Sequence, residues 1–285
     1  MEILKESSTI PQQASLILGF FDGIHAGHQK VLENTQSKKR IVVTFSSSPA
    51  VFFNKNTTSI YPRKTNYKLL EEQGIDYIYE QDFAKIASLS AQEYLEFLVQ
   101  KFNPVSITTG FNHTFGANRI GTPDFIEKHK NGFEYFCTAP TIIDNEIVST
   151  TKIKEFLSQG ELVKAKNFLT RNFTIESTVI EGAKLGRKLG FPTANMEYPK
   201  GIIKLPYGVY KTKVMGLPAV LNWGIKPTIG AKEVLEVHIP NFEANLYNQI
   251  LEIEILSKIR DEQKFENLDE LKSQIEKDVI KCLES

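Results

Sequence analysis

Glu181-Gly-Ala-Lys-Leu-Gly186-Arg-Lys-Leu-Gly190-Phe-Pro-Thr193-Ala-Asn195 decides how the second half of this chain folds. Gly182, Gly186 and Gly190 recur at every fourth position. That spacing would suit one face of a helix, but Pro192 and the strand-like runs on either side argue against a helix. A flexible arch between strands is the better reading. Backbone N–H groups of such an arch can wrap a polyphosphate, and Lys184, Arg187 and Lys188 add local positive charge. Thr193 and Asn195 stand two residues apart, so in a strand both point to one face. Their neutral oxygens suit holding Mg²⁺ jointly with phosphate oxygens. No Walker loop is present, because Gly-x-x-x-x-Gly-Lys-[Ser/Thr] does not occur. The competing reading is a glycine-rich hairpin with a polar edge. The Pro-Thr-Ala-Asn run that follows the glycines weighs against it.

Around the arch, short strand-like runs are spaced by Gly and Pro: Phe173–Ile180, Gly208–Val214, Ala219–Asn222, Val234–Ile239 and Ile250–Leu256. This spacing predicts a compact antiparallel β-barrel. The chain closes with a capping box, Asn267-Leu-Asp-Glu270. Leu268, Leu271, Ile275 and Val279 then form an apolar stripe, which predicts a terminal helix packed on the barrel.

The first half reads differently. Buried strands are predicted at Leu16–Phe21 and Arg40–Phe45, with shorter ones at Tyr77–Tyr79 and Val105–Thr109. Helices are predicted at His28–Lys38, at Asn66–Gln73 with Gly74 as its cap, and after the capping box Ser90–Glu93. Two short helices, Thr151–Ser158 and Glu161–Thr170, are separated by Gly160. Strands alternating with helices imply a mostly parallel sheet covered on both faces, so the expected class is an α/β domain followed by a β domain.

Between the first strand and helix lies Gly19-Phe-Phe-Asp-Gly-Ile-His25-Ala-Gly-His28. Such a turn sets free N–H groups and a helix N-terminus at the carboxyl edge of the sheet, where anions bind. Gly23 and Gly27 admit a ligand close to the backbone. His25 and His28 are three apart at the helix start and can face one ligand, stabilising charge on a phosphate during nucleotidyl transfer. Zinc is a competing use of paired histidines, but no third ligand of suitable type lies nearby.

Thirty-four basic residues balance 34 acidic ones. No global field therefore draws in nucleic acid or an anionic membrane, and any phosphate site must be local. The two cysteines, Cys137 and Cys282, suggest neither a disulfide framework nor a metal cluster. Met1–Pro11 lacks an apolar core, and no run is long enough to span a bilayer. The expectation is a cytoplasmic enzyme or binding protein.

Gly19–His28 resembles the signature of the HxGH nucleotidyltransferases. With Phe-Asp-Gly ahead of the histidines, it looks like the adenylyltransferase module of bacterial FAD synthetases. Thr44-Phe45 through Pro49 occupies the place of a Thr-Phe-x-Pro-His-Pro motif, with Ser46, Ser47 and Ser48 where the His would fall. Gly110-Phe-Asn-His-Thr-Phe-Gly116 occupies that of Gly-x-Asp-Phe-x-Phe-Gly, with Asn112 for Asp. Ser149-Thr-Thr-Lys-Ile-Lys154 resembles Ser-Ser-Thr-x-Ile-Arg, with Lys154 for Arg. Lysine keeps that charge but loses the bidentate fork. The arch and its Pro-Thr-Ala-Asn run resemble the signature of riboflavin kinases. The likeness continues through Leu205–Tyr210, Gly224–Thr228, Glu236–His238, Leu246-Tyr247, Ile259-Arg260 and Lys264-Phe265. Together these stretches resemble the bacterial bifunctional riboflavin kinase/FAD synthetase family over nearly the whole chain.

The resemblance implies a Rossmann-like nucleotidyltransferase domain over residues 1–168 and a riboflavin-kinase barrel over 169–285. It implies that Thr193 and Asn195 hold Mg²⁺ and that Glu236 is the general base for the ribityl 5′-hydroxyl. His25 and His28 would act in adenylyl transfer. ATP would meet Gly19, Phe20, Asp22, Gly23, Gly27, Asn112, Ser149, Thr150, Thr151 and Lys154 in the first domain. In the second it would meet Gly182, Lys184, Gly186, Lys188, Gly190 and Pro192. Arg260 would anchor flavin or phosphate, or pair with Glu262, and His238 is read as structural. The small-molecule partners implied are riboflavin, FMN, FAD and ATP, with no nucleic acid and no membrane. Three readings stand at this point. They are a bifunctional enzyme, a riboflavin kinase with a degenerate adenylyltransferase domain, and a flavin- or nucleotide-binding regulatory protein.

Overall fold

The computed structural model describes residues 1–35, 39–53, 57–182, 186, 189–226 and 232–284. Lys184, Arg187 and Lys188 of the arch lie outside the described residues, as do Pro227 and Thr228. The chain divides into two compact units, Met1–Thr150 and Thr151–Ser285.

The first unit is built on strands β1 (Glu2–Leu4), β2 (Ser15–Leu18), β3 (Arg40–Phe45), β4 (Tyr77–Gln81), β5 (Ser106–Gly110) and β6 (Glu134–Thr138). They lie in the order β1-β4-β3-β2-β5-β6. Every pairing is parallel. Central strands such as β2 and β3 read as near-continuous apolar runs because both faces are covered, and Leu16, Ile17, Ile41 and Val42 are fully buried. The capping box at Ser90 and Glu93 forms as the sequence predicts and starts the helix Ala91–Phe102. That helix buries Tyr94, Leu95, Leu98 and Phe102 against the sheet.

β2 stops at Leu18 instead of running on to Phe21. The apolar run continues because Phe21 and Ile24 are buried in the turn after the strand, not in the strand itself. The helix that follows spans Ala26–Glu33, two residues ahead of the expected start. β1 and β6 have no counterpart in the sequence reading. β1 buries only Leu4, and β6 is an edge strand with no fully buried residue. A small antiparallel pair, β7 (Ile142–Ile143) with β8 (Glu146–Ile147), completes the unit.

The helix Thr150–Gln159 begins at the last residue of the first unit and leads into the second, where the helix Leu162–Leu169 comes next. Six strands follow: β9 (Phe173–Ile180), β10 (Ala194–Met196), β11 (Gly208–Val214), β12 (Leu217–Lys226), β13 (Lys232–His238) and β14 (Ile250–Arg260). They close a barrel in the order β10-β13-β12-β11-β14-β9, with every pair antiparallel. Ile175, Met196, Leu221, Trp223, Leu235, Val237 and Ile253 fill its interior. Trp223 satisfies its indole by donating Nε1–H to the Leu205 carbonyl at 3.0 Å.

The helix Leu268–Leu283 closes the chain, with Asn267 accepting from the Glu270 N–H at 2.9 Å. Its apolar stripe is only partly used. Leu268 is 57% exposed, whereas the fully buried helix residues are Asp278 and Cys282. The reason is electrostatic: Arg260 at the end of β14 reaches Asp278 through Nε at 3.0 Å and Nη2 at 2.8 Å. This pair, with Cys282 against Val209 and Val220, seats the helix on the barrel. Breaking a buried pair strands the remaining charge at a cost of about 3–5 kcal/mol. Asp278→Ala is therefore expected to lower the unfolding free energy of the barrel unit, read by denaturant titration, by about that amount. A shift under about 1 kcal/mol would show that the pair is not what holds the helix.

Candidate active sites

In the first unit the turn Gly19–His25 leaves the carboxyl end of β2. Gly23 has φ +88°, and Ile24, a β-branched residue, is held at φ +44°. A buried β-branched residue at positive φ is an outlier that persists only where its surroundings over-determine it. What holds it is visible. Asp22 is buried and accepts from the N–H groups of Ile60 at 2.8 Å and Tyr61 at 3.2 Å. Asn66 accepts from the Gly23 N–H at 2.8 Å. The sequence reading placed Asp22 among ATP contacts. In the structure its carboxylate accepts from these amides and from the Asn66 carboxamide at 3.3 Å, and so clamps the turn.

The clamp presents the histidines. His25 caps the helix Ala26–Glu33, its Nδ1 accepting from the His28 N–H at 3.2 Å. The two imidazoles stack with centroids 3.6 Å apart and an 18° tilt. Burial lowers the pKa of His25 to about 4. Burial, and then the neighbouring His25, hold His28 well below the ordinary histidine value. Both rings are therefore neutral near pH 7, each with one N–H to donate. Nδ1 of His28 is buried with no hydrogen-bond partner among the described residues. Ser149 immediately precedes the helix Thr150–Gln159. Thr150, the last residue of the first unit, reaches the Asp22 carbonyl through Oγ1 at 3.5 Å. Thr151 and Lys154 lie on the first turns of that helix, and Asn112 is exposed in the turn after β5. Phe20 is exposed beside the motif.

A cleft of about 530 Å³ begins at Gly19 and is walled by Phe45, Phe53, Phe83, Tyr94 and Phe115. Phe83 meets Phe45 edge-on at 5.3 Å and Phe53 at 5.8 Å. The sequence reading assigned no aromatic residue to the flavin ring. Phe45, in the Thr44–Pro49 stretch, and Phe115, within the Gly110–Gly116 motif, carried a signal. His113 also lines this cleft and stacks on Phe115 at 5.8 Å.

Burial lowers the His113 pKa to about 4. A histidine depressed in the fold takes up its proton more readily when unfolded. The stability it gives is intact above the unfolded value near 6.5 and is lost as pH falls toward 4. The first unit is therefore expected to melt at progressively lower temperature from pH 6.5 to pH 4.5. His113→Phe should make that decline shallower, because the ring shape stays and the titration goes. An unchanged slope would show that His113 does not titrate there.

In the second unit the arch closes on itself through Phe191 N–H to the Gly186 carbonyl at 2.8 Å. His238 Nδ1 lies 2.8 Å from the Pro192 carbonyl and fixes the turn into β10. Register does the rest. Asn195 on β10 stands directly opposite Glu236 on β13. Their strand neighbours Met196, Leu235 and Val237 point into the barrel, so Asn195 and Glu236 share its outer face. Cβ atoms of directly opposed residues lie roughly 5 Å apart. A Cβ added at Gly182 would sit 2.3 Å from the Asn195 carboxamide, and one at Gly186 would sit 3.3 Å from Thr193 Oγ1. The glycines thus let the arch close over both oxygens, a cradle that any side chain would fill. This neutral oxygen donor set fits a hard cation that draws its remaining ligands from phosphate and water.

Beside Thr193 a depression of about 620 Å³ runs along Pro192, Phe242, Leu246 and Tyr247. A separate groove of about 700 Å³ is lined by Ile225, Glu262, Phe265 and Leu271. Arg260 pairs with Asp278 and not with Glu262, and its guanidinium carbon lies 5.8 Å from the centre of the Phe265 ring. Glu262 instead accepts from the Ile225 N–H at 2.9 Å.

Residues 7–152 match the profile of the FAD synthetase family, and residues 169–285 match that of riboflavin kinase. The bifunctional riboflavin kinase/FMN adenylyltransferase of Escherichia coli K12 is 32% identical, over 97% of this chain and 94% of its own. The protein of the same name from Haemophilus influenzae is 33% identical, over 97% and 95%. Among solved structures, one titled a macrolide-efflux protein from Streptococcus pneumoniae superposes with a TM-score of 0.89 at 25% identity, covering 98% of this chain and 97% of that one. Among the described residues no helix is long and apolar enough to cross a membrane.

Proposed function

The chain belongs to the bifunctional riboflavin kinase/FMN adenylyltransferase family, and from that premise we propose that it makes flavin cofactors in two ATP-dependent steps. Residues 169–285 carry the kinase and residues 1–168 the adenylyltransferase. The observation that carries the kinase half is the register that sets Glu236 beside Asn195. The riboflavin 5′-hydroxyl attacks the γ-phosphorus of ATP in line. The O–P bond forms, the bond to the β,γ-bridging oxygen breaks, and Glu236 takes the hydroxyl proton, giving FMN and ADP. Thr193 and Asn195 would hold Mg²⁺, which neutralises charge on the phosphate oxygens. The glycines of the arch wrap the phosphates, and the depression along Phe242 and Tyr247 suits the adenine.

In the first unit a phosphate oxygen of FMN attacks the α-phosphorus of ATP, giving FAD and pyrophosphate. Neutral His25 and His28 donate hydrogen bonds to the phosphate oxygens on which charge builds. The start of the helix Ala26–Glu33, with Gly27 in its first turn, offers backbone N–H groups to the same anion. The aromatic cleft suits the flat flavin ring. A cytoplasmic location fits two unpaired cysteines. A kinase with an idle first half, or a sensor without turnover, is not favoured by relatives whose names carry both activities over matching lengths.

The test is direct. The purified chain is incubated with ATP and Mg²⁺ plus either riboflavin or FMN, and the flavins are separated by chromatography. FMN from the first mixture and FAD from the second are expected, and both should disappear on adding EDTA. No turnover of either substrate would end the proposal.

A further inference from the structure

The barrel row that contains Asn195 and Glu236 does not end there. Asn222 on β12 stands directly opposite Glu236 from the other side. Its neighbours Leu221 and Trp223 are buried inside the barrel, so Asn222 faces outward with Glu236 and Asn195. Three polar side chains thus lie side by side on three adjacent strands, roughly 4.8 Å apart from strand to strand. Asn222 is half-buried, and its carboxamide bonds to no other described residue. Asparagine is disfavoured inside strands, and here no hydrogen bond to a described residue compensates.

The row has a direction. The arch covers the Asn195 end through Gly182. If phosphate sits there, the group that attacks it must approach over β12. On that side the next outward position is Gly224, where a Cβ would come 2.2 Å from Glu262 Oε1, and the groove with Phe265 opens beyond it. Asn222 is therefore the side chain that an acceptor crosses between the groove and the base. Resting on the kinase reading above, we infer that Asn222 is a specificity-determining residue: its carboxamide hydrogen-bonds the secondary hydroxyls of the ribityl chain and places the terminal hydroxyl at Glu236. A carboxamide both donates and accepts, as a polyol does, and brings no charge next to the base.

The test compares riboflavin with a flavin carrying a plain 5-hydroxypentyl chain, which keeps the reacting hydroxyl and lacks the secondary ones. In wild type, kcat/KM should favour riboflavin. Asn222→Ala should lower kcat/KM for riboflavin about 10–100-fold and leave the hydroxypentyl flavin within about twofold, since a site that bonds hydroxyls gains little from a chain without them. Asn222→Ser should recover part of the riboflavin loss. Retained turnover of the hydroxypentyl flavin by the same variants reports that the barrel is folded. Equal losses on both flavins would overturn the inference and make Asn222 a support for Glu236. So would riboflavin turnover that the Ala variant leaves intact. Failure of wild type to phosphorylate riboflavin would instead remove the kinase reading on which the inference rests.

Discussion

Glu236→Gln is expected to lower kcat for riboflavin phosphorylation about 10³-fold, with KM for riboflavin and ATP changed little. General-base assistance contributes about 10²–10⁴-fold when the base is placed at the reacting proton. The substitution keeps size, hydrogen-bonding reach and position in the row but removes the lone pair that accepts the proton. Loss should therefore appear in kcat alone, since groups that act only in the transition state leave ground-state binding intact. Conversion of FMN to FAD by the same preparation should be unchanged, because its residues lie in the other compact unit. Steady-state kinetics with separated flavins decides it. A variant that keeps more than a tenth of the kinase rate would show that Glu236 is not the base and that the hydroxyl loses its proton elsewhere.

The parts of this site that were legible in the sequence are those whose chemistry is contiguous. Gly182 to Asn195 could be read as an arch with paired oxygen donors because glycine spacing, Pro192 and the Thr-x-Asn step are local facts. Gly19 to His28 was legible for the same reason. What joins separate stretches was not. The register that sets Asn195 and Asn222 on either side of Glu236 is fixed by barrel closure, a long-range event with no local signal. Without it, Glu236 reads as an exposed strand carboxylate, and only the family resemblance singled it out.

Local reading is also blind to what a side chain does for distant backbone. Asp22 sits inside a ligand-binding motif, yet it accepts from Ile60 and Tyr61, residues no pattern linked to it. Arg260 offered a choice between flavin, phosphate and Glu262, and its bidentate partner is Asp278, a helix position that the apolar stripe did not mark. The aromatic cleft is assembled from Phe45, Phe53, Phe83, Tyr94 and Phe115, drawn from five stretches. Each alone is indistinguishable from core, as most aromatic residues are. At fold level the failures were at the margins. β1 and β6 are edge strands with one or no buried residue, so the burial pattern that reveals inner strands is missing.

His28→Ala is expected to reduce FMN adenylylation about 10²–10³-fold while riboflavin phosphorylation persists. The magnitude is that of removing one preorganised donor from a site where anionic charge builds. Geometry makes His28 the sharper probe of the two histidines. His25 also caps the helix Ala26–Glu33, so its loss mixes chemistry with a cap worth about 1 kcal/mol. His28 holds no cap, and its Nδ1 has no partner among the described residues. His28→Asn, which retains an N–H donor of similar reach, is expected to recover part of the rate. Recovery with Asn but not Ala would identify hydrogen-bond donation as the role. Equal loss in both would point to the ring itself and to its stacking on His25. A His28→Ala variant that still converts FMN to FAD at the wild-type rate would remove the histidine pair from the reaction and leave the start of the helix Ala26–Glu33 as its anion site.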